Sequence, residues 1–322
     1  MTDFAFATCL PGMEGAIKRE VARDRAGLRF AYSRPGLLTF RADGAIGVDD
    51  VSPTGFAWVW GRSLGAARDP GDAAHQLQHV GAQRVHVFAR DREVATELAP
   101  WRAAIELPDG ASREGELVAD VIVAPNEPAW LGLHRADAYH LPYPGGAIPV
   151  AVPDDAPSRA FAKIEEAIAW RGLPIAAGQT ALEIGCAPGG ALYALARRGL
   201  EVYGVDTADV APQVLALPNV HHLRTKVGAL HWEDLPPAID WLLLDVNLAP
   251  QVALHEVARL IPRLKKHLRG AVLTLKLNEW KFVDELPKLR ERVIAMGFRD
   301  VQMRHLPSNR REICLVGRNT TR

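Results

Sequence analysis

The sequence predicts an α/β protein in which an α+β unit precedes a doubly wound, mainly parallel sheet that ends on an antiparallel strand. Three observations carry this. Short apolar runs alternate with amphipathic helical patterns throughout residues 158–296. Two strand-like runs follow with no helix between them. The segment LPYPGGAIPVAVPDDAP separates the two halves, and its prolines at 142, 144, 149, 153 and 157 exclude a helix or an interior strand. It reads as an extended linker with a boundary near residue 150, giving regions 1–62, 63–148 and 149–322.

In the first region Phe4, Phe6 and Thr8 alternate with small residues as in a strand, and Pro11-Gly12 breaks it. Met13 to Arg25 is an amphipathic helix with Ala16, Ile17 and Val21 on one face. Leu37 to Phe40 and Ala57 to Trp60 are further strands. In the middle region Ala73 to Val80 reads as a helix, with Arg84 to Ala89, Glu116 to Ala124 and Trp130 to Leu133 as strands. The last region opens on a helix, Ser158 to Arg171, with Phe161, Ile164, Ala167 and Ile168 on one face. Strands follow at Ala181 to Ile184, Glu201 to Val205, Val220 to Leu223, Trp241 to Leu244 and Ala271 to Lys276. Helices intervene at Gly190 to Arg198, Leu254 to Leu268 and Asp284 to Met296. Phe298 to His305 and Glu312 to Val316 close the pattern as an antiparallel edge hairpin, the layout of class I (Rossmann-like) methyltransferases.

Composition sets the outer bounds. The chain has 322 residues, 48% hydrophobic and 24% charged, as in ordinary globular domains. No apolar run reaches the ~18 residues of a spanning helix, and the start lacks the basic, then apolar, pattern of a signal peptide. Three widely spaced cysteines, Cys9, Cys186 and Cys314, with no CxxC, point to reduced thiols in a cytoplasm. Lys+Arg and Asp+Glu both number 38, yet residues 263–322 hold 15 basic against 6 acidic side chains. Such a face suits a phosphate-rich partner, or is a solvated surface that happens to be basic.

Two constellations carry chemistry. In Leu182-Glu183-Ile184-Gly185-Cys186-Ala187-Pro188-Gly189-Gly190 a strand runs into a glycine-rich turn that opens a helix. Glycines there admit a ligand close to backbone. The spacing is neither GxGxxG nor a P-loop. Asp206 ends the next strand, where an acid can accept both hydroxyls of a ribose. Together these point to an adenosine cofactor; the glycine turn alone is equally a plain tight turn. The second constellation is Lys163 on the first helix, Asp245 after WLLL, Lys276 ending AVLTLK and Glu312 opening REICLV. Strand ends face the ligand crevice in such sheets. A lysine beside another cation and partly desolvated is expected to have a lowered pKa and to take a proton from a hydroxyl. A surface charge is the plain reading of each alone and the favoured one for Lys163, whereas Asp245 and Lys276 each terminate an apolar strand at the same sheet edge.

The order Lys163, Asp245, Lys276, Glu312 on this fold resembles the FtsJ-like ribose 2′-O-methyltransferases. DDAPSRAFAKIEEA, IGCAPGG, TLKLNEWKFVDE and NRREICLVGR are similar to segments of the large-subunit ribosomal RNA methyltransferase M family. FATCLPGMEGAIKREV and GLHRADAYHLPYPGG resemble the start and end of that family's N-terminal module. The resemblance implies a ferredoxin-like domain at 1–62, a THUMP-like RNA-binding region at 63–148, and a methyltransferase domain at 149–322. It implies S-adenosylmethionine as cofactor, held by Glu183, Gly185, Cys186, Ala187, Pro188, Gly189, Gly190, Asp206 and Asp245. The implied substrate is RNA, a cytidine ribose of 23S ribosomal RNA, with no metal and no membrane. Residues 63–130 are short for the THUMP domain, and Thr225-Lys226 stands where the family tends to place an acidic pair.

Other residues read more plainly. His75 and His79 have ligand-like spacing but no partner acid, so they read as surface histidines, and no metal-ligand cluster is visible. His221 and His222 read as solvated. Trp280 can stack on a base or pack on the sheet edge. Cys186 reads as packing. A non-catalytic RNA-binding protein and a small-molecule methyltransferase are the rival functions. The former would lack Lys276 or Asp245, and the latter has no use for the basic C-terminal quarter.

Overall fold

A computed structural model describes residues 3–49, 54–137 and 140–319. The chain divides into two compact units, Met1–Ile148 and Pro149–Arg322.

The first unit is one seven-stranded sheet. Its elements are β1 (Phe4–Thr8), α1 (Glu14–Asp24), β2 (Leu28–Arg34), β3 (Leu37–Ala42), β4 (Val59–Ala67), α2 (Pro70–Leu77), β5 (Arg84–Ala89), α3 (Ala99–Ala104), β6 (Leu117–Val123) and β7 (Ala129–Arg135). The strand order is β2-β3-β1-β4-β7-β6-β5. Only β5 and β6 are parallel. Position 62 falls inside β4, which pairs with β1 on one side and β7 on the other. The sheet therefore runs through that position without a break. Period-two alternation splits the apolar residues between its faces. Val85, Val87, Ala119, Val121, Leu131 and Leu133 pack with Ala73, Leu77 and Trp101. Phe6, Leu37, Val59, Phe88 and Ile122 pack on the other side. The helix expected from Ala73 starts three residues earlier, because the Asp69 side chain accepts the Asp72 N–H and Pro70 sits in the first turn. β2 and α3 have no counterpart among the sequence-based elements. β2 is an edge strand whose residues are nearly all exposed, so it lacks an apolar alternation.

The second unit alternates strands and helices. It comprises α4 (Ala160–Arg171), β8 (Thr180–Ile184), α5 (Gly190–Arg197), β9 (Glu201–Val205), α6 (Pro212–Leu215), β10 (Val220–Leu223), β11 (Trp241–Leu244), α7 (Pro250–Leu264), β12 (Gly270–Lys276), α8 (Lys281–Ala295), β13 (Asp300–Arg304) and β14 (Glu312–Arg318). The order is β10-β9-β8-β11-β12-β14-β13. β10, β9, β8, β11 and β12 are parallel. β14 lies between β12 and β13 and is antiparallel to both. The central strand β11 is a continuous apolar run, and Leu182, Leu242 and Leu273 on β8, β11 and β12 are fully buried. α7 and α8 begin several residues before their sequence-based starts, α7 with Pro250 in its first turn. No helix among the described residues is long and apolar enough to cross a membrane.

Candidate active site

Strand order determines what meets at the carboxyl ends of the parallel strands. Leu244, the last residue of β11, pairs with Ile184 of β8, so Asp245 emerges beside the turn that begins at Gly185. Lys276 ends β12 and is the register partner of Glu312 at the start of β14. α4 carries Lys163 over the same edge.

The four side chains close into a ring of alternating charge. Lys163 Nζ lies 2.9 Å from Asp245 Oδ2 and 2.6 Å from Glu312 Oε1. Lys276 Nζ lies 2.6 Å from Asp245 Oδ1 and 2.5 Å from Glu312 Oε2. Each carboxylate bridges both lysines, one oxygen to each. The side chains are 13%, 18%, 17% and 6% exposed for Lys163, Asp245, Lys276 and Glu312. The ring is thus screened from water yet open on one side.

The electrostatics overturn one sequence-based expectation. Burial by itself pushes the Lys276 ammonium toward losing its proton, but the Asp245 and Glu312 carboxylates outweigh it and hold the pKa above the usual lysine value. A lowered pKa would require a neighbouring cation to dominate, and the two nearest groups are anions. Burial likewise raises Glu312, but Lys163 and Lys276 bring its pKa below the ordinary glutamate value.

The glycine turn is built against this ring. Gly185 has φ +82°, and a Cβ there would meet the Asp245 carbonyl oxygen at 2.5 Å. A Cβ on Gly190 would meet Ser158 Oγ at 2.3 Å, where α5 begins against the entry to α4. Asp206, after β9, accepts the Ala187 N–H at 3.1 Å through Oδ2 and the Ala208 N–H at 2.9 Å through Oδ1. A carboxylate oxygen accepts more than one hydrogen bond, so capacity remains for two hydroxyl donors. Glycine backbone at close approach, a helix N-terminus at Gly190 and an acid at the next strand end fit an adenosine cofactor.

Glu183 and Cys186 stand differently. Glu183 is 2% exposed, its Oε2 has no partner, and burial, reinforced by Asp245, raises its pKa well above the ordinary value. With Lys163 and Asp245 it lines a small open pocket of about 20 Å³. The Cys186 thiol is buried against the position of Gly204, and burial pushes its pKa up, so it packs and does not react. His75 and His79 are exposed. Arg311 lies over the Trp280 ring, 5.2 Å from its centroid, so one face of that indole is already occupied.

One supporting residue escaped the sequence reading. Glu166, one helical turn beyond Lys163, is 3% exposed and accepts from both the N–H and the Oγ–H of Ser308, each at 2.8 Å. It anchors the loop that delivers Glu312 to the ring. On the helix Glu166 lies opposite the Phe161-Ile164-Ala167-Ile168 face, so the sequence pattern carried no signal for its burial.

Comparison with known proteins adds the following. The FtsJ-like methyltransferase family matches residues 156–311. The Ribosomal RNA large subunit methyltransferase M of Thauera aminoaromatica is 30% identical over 213 residues, 63% of this chain and 57% of that protein. Its namesake from Marinobacter nauticus is 30% identical over 229 residues, 65% of this chain and 60% of the relative. That from Methylococcus capsulatus is 30% identical over 241 residues, 69% of this chain and 66% of the relative. The matches span 57%, 60% and 66% of these relatives' own lengths.

Proposed function

We propose that this chain, whose residues 156–311 match the FtsJ-like methyltransferase family, is an S-adenosylmethionine-dependent ribose 2′-O-methyltransferase acting on a cytidine of 23S ribosomal RNA. The observation that carries the reading is the closed Lys163-Asp245-Lys276-Glu312 ring set directly against the Gly185 turn.

Bound S-adenosylmethionine supplies an electrophilic methyl group on a cationic sulfur. Gly185, Gly189 and Gly190 of the turn would hold its methionine end, and Asp206 would accept its ribose hydroxyls. The chain's own work is at the ribose 2′-oxygen of the RNA. Lys163 and Lys276 each keep an N–H beyond their two ring contacts, and these orient the hydroxyl oxygen. As that oxygen forms its new bond to carbon, its proton passes to Lys276 Nζ. Lys276 in turn gives a proton along the 2.6 Å contact to Asp245 Oδ1. An ammonium cannot accept a proton without passing one on, and Asp245 Oδ1 is the acceptor within reach. Holding nucleophile, methyl and sulfur in line supplies much of the acceleration. The N-terminal sheet and the basic C-terminal quarter take the RNA, the first as a THUMP-like module.

The test is tritium transfer from methyl-labelled cofactor into unmodified 23S ribosomal RNA, with the product nucleotide mapped. Label in a 2′-O-methylcytidine is the expected result; label elsewhere, or none, ends the reading. Asp206→Ala should cut cofactor affinity at least tenfold, seen as a smaller rise in Tm with S-adenosylmethionine. The change removes the ribose acceptor and the partner of the Ala187 N–H. Asp206→Asn, which keeps one acceptor oxygen, should fall between; wild-type affinity in both would take Asp206 out of the site. Replacing the exposed Arg310 and Arg311 with alanine should weaken RNA binding and flatten its dependence on salt, with cofactor affinity unchanged. An unaltered slope would mark them as solvated charges.

A further inference from the structure

β5, β6 and β7 lie side by side, and each contributes one buried polar side chain to the same patch. His86 on β5 is the register partner of Asp120 on β6. On β7, Gly132 faces Asp120 and His134 lies two positions further along the same face. Val85, Val87, Ala119, Val121, Leu131 and Leu133 point to the other face. His86, Asp120 and His134 are 0%, 0% and 1% exposed.

Their hydrogen bonds leave one gap. His134 Nδ1 is 2.6 Å from Asp120 Oδ2. His86 Nε2 is 2.9 Å from the Gly110 carbonyl, which only accepts, so Nε2 carries the ring hydrogen and Nδ1 presents a lone pair. That Nδ1 lies 4.0 Å from Asp120 Oδ1. Neither atom has a hydrogen-bond partner. Two electron pairs thus face each other 4.0 Å apart, an arrangement that a cation between them satisfies.

We propose that His86, Asp120 and His134 form a structural binding site for a first-row divalent transition-metal ion, with Zn²⁺ the best match. Two imidazoles and a carboxylate are a ligand set suited to zinc. One ligand atom from each residue lies within 4.8 Å of the others. Reaching the ~3.4 Å edge of a tetrahedron with ~2.1 Å bonds opens the 2.6 Å contact of Asp120 with His134 and closes the wider pairs, a movement of about 1 Å for each side chain. The outer shell is in place. The Gly110 carbonyl fixes the His86 tautomer, as ligating histidines require. His140 stacks on His134 at 4.5 Å between ring centroids, and its own nitrogens are held by Asp137 Oδ1 and the Trp60 carbonyl. The ion would tie three strands of the N-terminal sheet together and takes no part in methyl transfer. The sequence reading found no ligand cluster because 34 and 14 residues separate these three positions, and only the strand order β5-β6-β7 brings them together.

The experiment uses the full chain without an affinity tag, stripped with chelator and titrated with Co²⁺ and with Zn²⁺. One equivalent of Co²⁺ should bind with the visible absorption of a four-coordinate nitrogen and oxygen site, and one equivalent of Zn²⁺ should displace it and raise Tm. His86→Gln and His134→Gln should abolish the uptake, while the double variant His75→Ala/His79→Ala should keep it. Absence of stoichiometric uptake by the wild-type chain, or uptake unaffected by His86→Gln, overturns the proposal; so does uptake lost in the His75/His79 variant. Should the glutamine variants not fold, ¹⁵N imidazole spectra of the wild-type chain read the same site. Zn²⁺ must then move the His86 and His134 ring resonances, and unmoved resonances overturn it equally.

Discussion

Lys276→Ala is expected to reduce methyl transfer by ~10²–10⁴-fold, the usual worth of positioned proton transfer, with S-adenosylmethionine affinity close to wild type. The residue ends β12, beyond the Gly185 turn and Asp206, so its loss falls on turnover and not on cofactor binding. Lys276→Arg decides between two roles. A guanidinium keeps the positive charge between Asp245 and Glu312 but does not give up its proton. If proton relay is the function, arginine is as inactive as alanine; if charge alone suffices, arginine restores most of the rate. Tritium transfer at saturating RNA, alongside calorimetric cofactor titration, separates these outcomes. Full activity in Lys276→Ala would remove the ring from the mechanism.

Gly185→Ala should have the second largest effect, and of a different kind. The backbone at +82° strains any side chain, at a cost of ~1–3 kcal/mol. The new Cβ would also press on the Asp245 carbonyl oxygen at 2.5 Å and on Val246 Cγ1 at 2.6 Å. The first contact is with backbone, so relief must move either the turn or the strand end that carries Asp245. Cofactor affinity and transfer should therefore fall together, each by at least tenfold. Strain of that size lowers the Tm of this unit by roughly 2–12 °C. Differential scanning calorimetry and cofactor titration on the same sample provide the check. A variant with wild-type affinity would show that the turn yields freely and that its closeness to Asp245 is incidental.

The parts of this molecule that were legible in the sequence share one property: their signal is local. β11 and β12 are nearly unbroken apolar runs ending in a charge, so Asp245 and Lys276 stood out at the ends of WLLL and AVLTLK. The glycine turn and Asp206 follow the strands that position them. The misses all depend on distance or exposure. β2 is solvated along almost its whole length and leaves no alternation to read. The direction of the Lys276 pKa needed the knowledge that two carboxylates, and not the other lysine, lie within 2.6 Å of its nitrogen. Glu166 acts on Ser308, which is 142 positions away in the chain. His86, Asp120 and His134 sit on three strands whose adjacency is a matter of topology alone.

β14 sits between β12 and β13, and its first residue completes the ring. During synthesis the cofactor turn, Asp206 and three of the four charged groups emerge before Glu312 does. Until β14 inserts, Lys163 and Lys276 have only Asp245 between them, and two ammonium groups share one carboxylate. Closing the sheet and neutralising the site are therefore a single event. The ladder that pairs Lys276 with Glu312 also makes the chemistry intolerant of slippage, because a one-residue shift of β14 would turn Glu312 to the opposite face.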